Sequence, residues 1–537
     1  MSVEALNEFL RWKFSRRAVL KAGAGAMLTS HALLLQELAF LPTRTALAAS
    51  FSDIQFDIGR FLTQAPSVFN DGGGNVVAQF GPIFTMIAPA RLTRNPSRAD
   101  QTTLANALNT IESIYNAAPS GVLIAAVAYG VPYFNRLPPA LVQSRMPRLT
   151  LNTNRFVLEE SPAFPTDVSP ANPGITKDRF NNPVRIETND LFFEFRSDST
   201  YILNDVLTWL QGSNSLEGKQ IASPAFNGLV QFQTPRLMYG QMGMPRRVFD
   251  SAAQSNPTLY EYHTRVNHIS SMNMGFVDQQ TNASAAAGDV IFASTGAGSG
   301  ITTARAGDYF DNGAIAHLSH DIEDLYQFYA LPNQDPRHPD GEPFTERVMY
   351  MFRANQLGTT HGLPSEGNSD QFTDGGGPSF LNNVFQGNNS VMNEARDSGG
   401  TFGPGNQTQD ATFTGLGRIG HIAGLQRAGR TASGAPLHIR NDGPGFDSMD
   451  VGSFQLFPGG QTVAAGSNQP KLQFLAFVPS AEVFRAMRVG VAAQDLVAQF
   501  GVDDDDNGLE RFITATRRQN FLVPPRRHRA FPLLELT

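Results

Sequence analysis

Cysteine is absent from this 537-residue sequence. Its absence excludes disulfide bonds, zinc fingers, iron–sulfur clusters, thiol nucleophiles and every cofactor held through a thiol. Charged residues are scarce, at 17% of the sequence. The formal net charge of −7 argues against a nucleic-acid-binding protein, which would carry a basic surface. Beyond the N-terminal segment, no stretch reaches the roughly 18 consecutive apolar residues that a membrane-spanning helix needs. The chain must therefore rely on its own apolar core for stability.

The composition supplies such a core. Hydrophobic residues make up 41% of the sequence, and 49 glycines and 34 prolines indicate many turns and long loops. The chain is longer than a domain with a single hydrophobic core usually is, so we expect more than one domain.

The N-terminus resembles a twin-arginine export signal. Arg16 and Arg17 lie in the segment SRRAVLK (residues 15–21), an apolar stretch follows at 22–40, and a small-x-small cleavage pattern stands at 46–48. An amphipathic N-terminal helix or an uncleaved anchor is the alternative. The twin-arginine machinery carries folded cargo, so we expect a protein that folds first and then reaches the periplasm or the exterior.

After residues 1–48, the pattern of apolar residues predicts strands and helices in two similar sets. The first set comprises strands at 80–88, 121–129, 191–196 and 228–233 and helices at 103–117 and 201–211. The second comprises strands at 313–319 and 471–477 and helices at 321–329 and 480–500. Strand–helix–strand units in series favour α+β domains of the ferredoxin-like kind. We predict one such domain at 49–270 and a second at 271–537, with a Gly/Asn-rich insertion at about 355–410.

Two local motifs narrow the choice of family. The first is Met274-Gly275-Phe276-Val277-Asp278-Gln279, which lies at the start of the second predicted domain. The second is the run HIRNDGP at 438–444, with a histidine, His421, nineteen residues before Arg440. These motifs resemble the Gly-x-x-Asp-Gly and Ile-Leu-Arg-x-x-x-Pro segments of the dye-decolourising family of haem peroxidases, although Gln279 replaces the second glycine.

The resemblance implies a fold and a cofactor. The fold would be two ferredoxin-like domains with antiparallel sheets, as in the dimeric α+β barrel haem proteins, and the second domain would bind haem b. His421 then stands at the position of the iron ligand. A second alignment makes His438 the ligand, but it requires an arginine some way downstream, and none occurs between Arg440 and Arg485.

The resemblance also assigns roles around the haem. Peroxide cleavage needs a base that moves the peroxide proton and a fixed positive charge that stabilises the departing oxygen. Asp278 would be the base and Arg440 the charge. Gly275 and Phe276 would contact the haem, and Asp442 would either accept a hydrogen bond on the distal side or be a turn residue.

The activity so implied is reduction of hydrogen peroxide with oxidation of an organic donor, dye-like or phenolic, by a protein that could form homo-oligomers. The alternatives are a protein of this fold that binds or handles haem without turnover, and a binding protein that has lost haem. A metal site at His317 and His320, three residues apart, is a further alternative from the residues alone.

The first prediction concerns export. Replacing Arg16 and Arg17 together by lysine should retain the protein in the cytoplasm, because the paired guanidinium groups are the address that the export machinery reads. Fractionation of the producing cells measures this. Unchanged export of the double variant by the same route would remove the twin-arginine interpretation.

Overall fold

The protein folds around strands that form in its most apolar segments, such as Leu123–Gly130 and Leu191–Ser197. A computed structural model describes residues 52–57, 67–70, 75–78, 81–115, 121–226, 228–241, 243–266, 271–274, 284–329, 401–402, 418–419, 429, 431, 435–456, 459–500, 507 and 509–537. Apart from residues 52 and 53, all of these belong to one unit, Ile54–Thr537. The predicted export signal at 1–48 and most of the predicted insertion at 355–410 lie outside the described residues.

Eleven strands form the main sheet. They are β3 (Phe84–Leu92), β4 (Leu123–Gly130), β5 (Arg185–Ile186), β6 (Leu191–Ser197), β9 (Val230–Phe232), β10 (Arg236–Tyr239), β11 (Ala314–Glu323), β14 (Ile439–Arg440), β15 (Gly443–Asp447), β18 (Gln469–Val478) and β19 (Ile513–Val523). Four two-stranded sheets pair β1 (Ser67–Asn70) with β2 (Asn75–Ala78), β7 (Ser215–Leu216) with β8 (Lys219–Gln220), β12 (Thr401–Phe402) with β13 (Arg418–Ile419), and β16 (Phe454–Gln455) with β17 (Thr462–Val463).

The α-helices within the described residues are mostly short. They are α1 (Arg98–Ile114), α2 (Val131–Phe134), α3 (Pro139–Arg145), α4 (Thr200–Gln211), α5 (Met244–Ala252), α6 (Pro257–Tyr260), α7 (Ala287–Val290), α8 (Leu325–Tyr329), α9 (Ala481–Ala492) and α10 (Gln494–Phe500). In this part of the chain, no helix is both long enough and apolar enough to cross a membrane.

The sheet contains the ferredoxin-like strand order twice. In the first half, the chain runs β3, α1, β4, β6, α4, β10, and the strands lie side by side as β10-β3-β6-β4. In the second half, β11, β14, β18 and β19 lie side by side as β19-β11-β18-β14, with α9 between β18 and β19. Each half thus places its strands in the order fourth, first, third, second, and all these pairs are antiparallel. The predicted α+β class with ferredoxin-like antiparallel sheets is confirmed.

The two halves join edge to edge. β4 pairs with β19 through Gly130↔Phe521 and Tyr129↔Leu522. Beside this pairing, the side-chain amide of Gln519 acts as a strand would: its Oε1 accepts from the backbone N–H of Asn189 at 2.9 Å, and its Nε2 donates to the Asn189 carbonyl at 2.7 Å. The predicted division at residue 270 stays a prediction, and strands from both sides of it share one sheet.

The far ends of the sheet also come together. β10 lies against β15. The close approach is seen at Gly445 of β15, where an added β-carbon would come within 2.7 Å of the Leu237 carbonyl oxygen of β10. The sheet therefore curls around a core to which most of its strands contribute, including Ile87, Phe192, Leu318, Leu475 and Phe521. Burial of these apolar side chains supplies the main stabilisation.

Several predicted elements are wrong in their bounds, including the helix predicted at 103–117, which spans Arg98–Ile114. The helix predicted at 321–329 forms only from Leu325, because Asp321 to Glu323 continue β11 and pair with β19. The helix predicted at 480–500 is two helices, since Ala493 adopts a left-handed backbone with φ 49°. The strand predicted at 80–88 is displaced to Phe84–Leu92. At the end of β11, pairing with β18 on one side and β19 on the other outweighs the helical pattern of the sequence.

The junction of the halves gives the second prediction. A β-carbon on Gly130 would collide with the Asn189 carbonyl and the Gln519 amide, whereas one on Gly174 would meet nothing within 4 Å. Gly130→Ala should therefore lower the free energy of unfolding by about 1–3 kcal/mol. Urea denaturation measures this, with Gly174→Ala as the matched control. Equal midpoints for the two variants would contradict the described junction.

Candidate functional site

Arg440 lies on the face of the second half-sheet that helix α9 covers. It pairs with Ala476 of β18, which pairs with His317 of β11, which in turn pairs with Asn520 of β19. Residues that pair across neighbouring strands project from the same face of a sheet. His317 stacks on Phe484 of α9, with ring centroids 3.6 Å apart. Arg440 therefore belongs to a cross-strand row of residues under α9.

His438 is held by the segment that follows His421. The Leu437 N–H donates to the Gly429 carbonyl at 2.8 Å, and a β-carbon on Gly429 would come within 2.6 Å of Cε1 of His438 and 3.7 Å of Cε of Met487. The His438 side chain is buried. Gly429 thus allows the backbone to lie directly on the imidazole, a contact that a larger residue would prevent.

The loop that carries Asp278 is attached at both ends to the second half of the sheet. Before the loop, the Asn273 side chain donates to Glu323 Oε2 at 2.6 Å and to the Lys471 carbonyl at 3.2 Å. After it, the Ala285 N–H donates to the His438 carbonyl at 2.9 Å. Both attachments involve the second half-sheet, and the later one is two residues from Arg440.

Glu323, which accepts the hydrogen bond from Asn273, is buried, and the half-buried Asp442 lies close enough for its charge to act on Glu323. Burial raises the pKa of Glu323 to about 8; the hydrogen bond from Asn273 opposes this, and the negative charges of Asp321 and Asp442 add to it. Burial likewise raises the pKa of Asp442, whereas the positive charge of Arg440 lowers it. At neutral pH, Glu323 is therefore largely protonated, because an ionised carboxylate is poorly solvated there.

Paired charges fill the same face farther along β11 and β19. Arg518 forms two hydrogen bonds to Asp167, at 2.7 and 3.0 Å, and both side chains are buried. On α9, Arg488 donates to Glu510. Burial lowers the pKa of His317 well below its usual range, and the nearby Arg518 and Arg488 lower it further. His317 is therefore a neutral imidazole.

The predicted site residues divide into two groups. Arg440 lies in β14, His438 directly precedes that strand, and Asp442 lies in the two-residue connection to β15. Gly275, Phe276, Asp278 and His421 lie outside the described residues. Their roles remain predictions.

The alternative of a two-histidine metal site is wrong. His317 and His320 both lie within β11 and project from opposite faces: His317 stacks on Phe484, whereas His320 bonds to Thr516 at 2.7 Å and to Asp447 at 3.3 Å. Two residues that are three positions apart project from opposite faces of a strand, whereas in a helix they project from the same face. Among the residues that the structure describes, no group of three or more His, Asp or Glu is placed to hold a metal ion.

Sequence reasoning missed Asn273, Glu323 and Asn441. Asn441 links the two halves, since its amide donates to Glu194 and its Oδ1 accepts from Arg196 at 2.8 Å. Burial raises the pKa of Glu194 to about 7, against the effects of Arg196 and Asn441. The signal in the sequence was a charged pair, Glu194 and Arg196, inside an apolar strand.

No protein-family model and no curated protein matches this chain. Among solved structures, it is similar to a dye-decolorizing protein from V. cholerae, at 11% identity over 84% of this chain and 96% of that chain, with a TM-score of 0.41. A dye-decolorizing peroxidase from Bacteroides thetaiotaomicron shows 10% identity over 86% of this chain and 97% of that chain, with a TM-score of 0.39. A variant of DypB from Rhodococcus jostii RHA1, in complex with heme, shows 11% identity over 84% and 96%, with a TM-score of 0.40.

The third prediction concerns Glu323. Its carboxyl stays protonated in the folded protein up to about pH 8, whereas in the unfolded chain it ionises near pH 4.3. The stability that it contributes is thus present below that lower pH and is lost as pH rises toward 8. Glu323→Gln is neutral throughout, so its melting temperature should rise relative to the parent across this range. Thermal denaturation from pH 4 to 9 measures the difference, with the exposed Glu217→Gln as control. A constant difference would show that Glu323 does not titrate in this way.

Proposed function

We propose that the protein is an exported haem peroxidase of the dye-decolourising type, which reduces hydrogen peroxide and oxidises a small organic donor. One observation carries the proposal: the loop with Asp278 is attached at its end to His438, two residues before Arg440. The two residues that the chemistry needs, a base and a fixed positive charge, thus belong to segments that are joined in the structure.

The described part of the site combines a cationic side chain with small and apolar ones, which suits a haem group. Arg440 stands beside the small side chain of Ala476, and apolar residues of α9, such as Met487, face the same region. His421 would supply the axial imidazole, eight residues before the Gly429 contact with His438. Haem b, when bound, supplies the redox chemistry of peroxide reduction.

The residues of the chain would move the proton and stabilise charge. The Asp278 carboxylate takes a proton from one peroxide oxygen and delivers it to the other oxygen as the bond between them breaks. The Arg440 guanidinium stabilises the negative charge that grows on the departing oxygen, because it stays protonated and directs several N–H donors. Asp278 ionises near pH 3.9 when unperturbed, so activity should decline below about pH 4 as this carboxylate is protonated. Oxidation of the donor commonly consumes protons and proceeds more readily in acid, so activity should be highest on the acid side of neutrality.

The fourth prediction tests this function with one set of variants. The purified protein, loaded with haem, should show a Soret band and oxidise a dye only when peroxide is added. His421→Ala should abolish or strongly shift the band, whereas His438→Ala should leave it nearly intact. The reverse result would make His438 the ligand.

Within the same set, Asp278→Asn and Arg440→Leu should keep the Soret band but slow the reaction with peroxide. The expected loss is about 100-fold or more for each, as for removal of a general base or of a charge-stabilising donor. Arg485→Leu, on the exposed side of α9, is the control. Parental rates in both variants would favour the alternative of a haem-binding protein without turnover, and a protein that takes up no haem would exclude both.

A further inference from the structure

The concave side of the sheet carries a group of charged residues that the proposed peroxidase site does not use. On the concave side, β11 and β18 pair through the apolar residues Leu318 and Leu475. The next pair on the same side, His320 and Gln473, is polar. Lys471 follows at the next inward position of β18. The enclosed core therefore changes from apolar to charged toward one end.

These charged groups are joined in a chain of contacts. Its members, in order, are Arg236, Glu187, Arg517, Asp450, Thr516, His320, Asp447 and Lys471. The joining distances include 3.5 Å from Arg517 Nη1 to Glu187 Oε1 and 2.5 Å from Lys471 Nζ to Asp447 Oδ2. Opposite charges face one another in its two ion-paired parts, Arg236 to Asp450 and Asp447 to Lys471. Thr516 and His320 join these parts, and burial lowers the pKa of His320.

The two ends of this chain are both cationic and lie beside one another. Gly445 of β15 lies between them: a β-carbon there would come within 2.6 Å of Lys471 Cε and 2.7 Å of the carbonyl oxygen of Leu237, the residue after Arg236. Burial lowers the pKa of Lys471; Asp447 opposes this, and the positive charge of Arg236 adds to it. Two like charges, those of Arg236 and Lys471, thus lie near one another.

Arg236 has free donors at that place. Its side chain is 1% exposed, and its Nη2 bonds Glu187, but its Nε and Nη1 have no hydrogen-bond partner among the described residues. The Nε2 of Gln469, on the inward side of β18, is also buried without a partner there. Burying N–H donors of a guanidinium without acceptors is costly. An anion with several acceptor oxygens would satisfy these donors and would lie next to both cations.

We propose that Arg236 and Lys471 bind a small oxyanion on the concave side of the sheet, of the size of phosphate or sulfate. The anion accepts hydrogen bonds from Arg236 Nε and Nη1 and from the Lys471 ammonium group, whose other contact is Asp447. A compact oxyanion offers several acceptor oxygens to both cations at once. Asp447 and Arg517 are partly exposed, at 28% and 20% of their side chains, and mark the side of the group that faces solvent.

The test is anion binding by the full-length protein. Calorimetric titration with inorganic phosphate, at constant ionic strength in chloride, should show saturable binding, and phosphate should raise the melting temperature. Sulfate should compete with phosphate, whereas acetate, with a single carboxylate, should bind more weakly. Absence of saturable binding of both phosphate and sulfate to the parent protein would overturn the proposal.

Variants locate the site. Arg236→Met and Lys471→Met should each weaken phosphate binding at least tenfold, while Lys219→Met, at an exposed ion pair, should leave it unchanged. Since the methionine variants could fail to fold, Arg236→Lys provides a second test, because it keeps the charge and loses Nε and Nη1. Unchanged phosphate affinity in Arg236→Lys would place the anion elsewhere and contradict the assignment. None of these measurements requires haem, so their outcome is independent of the proposed peroxidase activity.

Discussion

The pairing of β4 with β19 holds the two ferredoxin-like halves in one sheet, and the rest of the structure depends on it. The directly paired residues are few, and Gln519 extends the contact by bonding both backbone groups of Asn189. Gly130 makes the approach possible because no side chain stands between the strands. If this junction opened, β10 and β15 would no longer meet on the far side, and the enclosed core would be exposed to water.

The two faces of the sheet have different tasks as a result. The face under α9 carries Arg440, His317 and Asn520 in one row, and the loop that bears Asp278 is bonded at its two ends to Glu323 and to the His438 carbonyl. The concave face carries the apolar core and the chain of charges that ends at Arg236 and Lys471. Asn441, next to Arg440, connects the two, because its side chain reaches Glu194 and Arg196 on β6 of the first half. The candidate peroxide site is thereby tied to the first half without containing residues from it.

Local patterns in the sequence predicted what local forces determine. The strand at 191–196 and the helix at 201–211 were found nearly to the residue, since apolar periodicity and the capping serine Ser199 act over a few positions. The motif around Arg440 was found because its residues are adjacent. The sequence could not predict that Asn273 bonds Glu323, or that Arg236 approaches Lys471, because these residues are 50 and 235 positions apart. The length of β11 was likewise decided by its neighbours on both sides, which no window of sequence contains.

The position of β19 has a consequence for how the chain acquires its structure. It is the last strand of the main sheet in chain order, yet it lies between β4 and β11, near the middle. Until β19 has left the ribosome, each of these strands presents an unpaired edge, and such edges readily pair with other chains. Local formation of the first half can precede this moment, but completion of the sheet cannot. Completion of the sheet thus waits for its central strand, and until then the edges of β4 and β11 must be shielded from other chains.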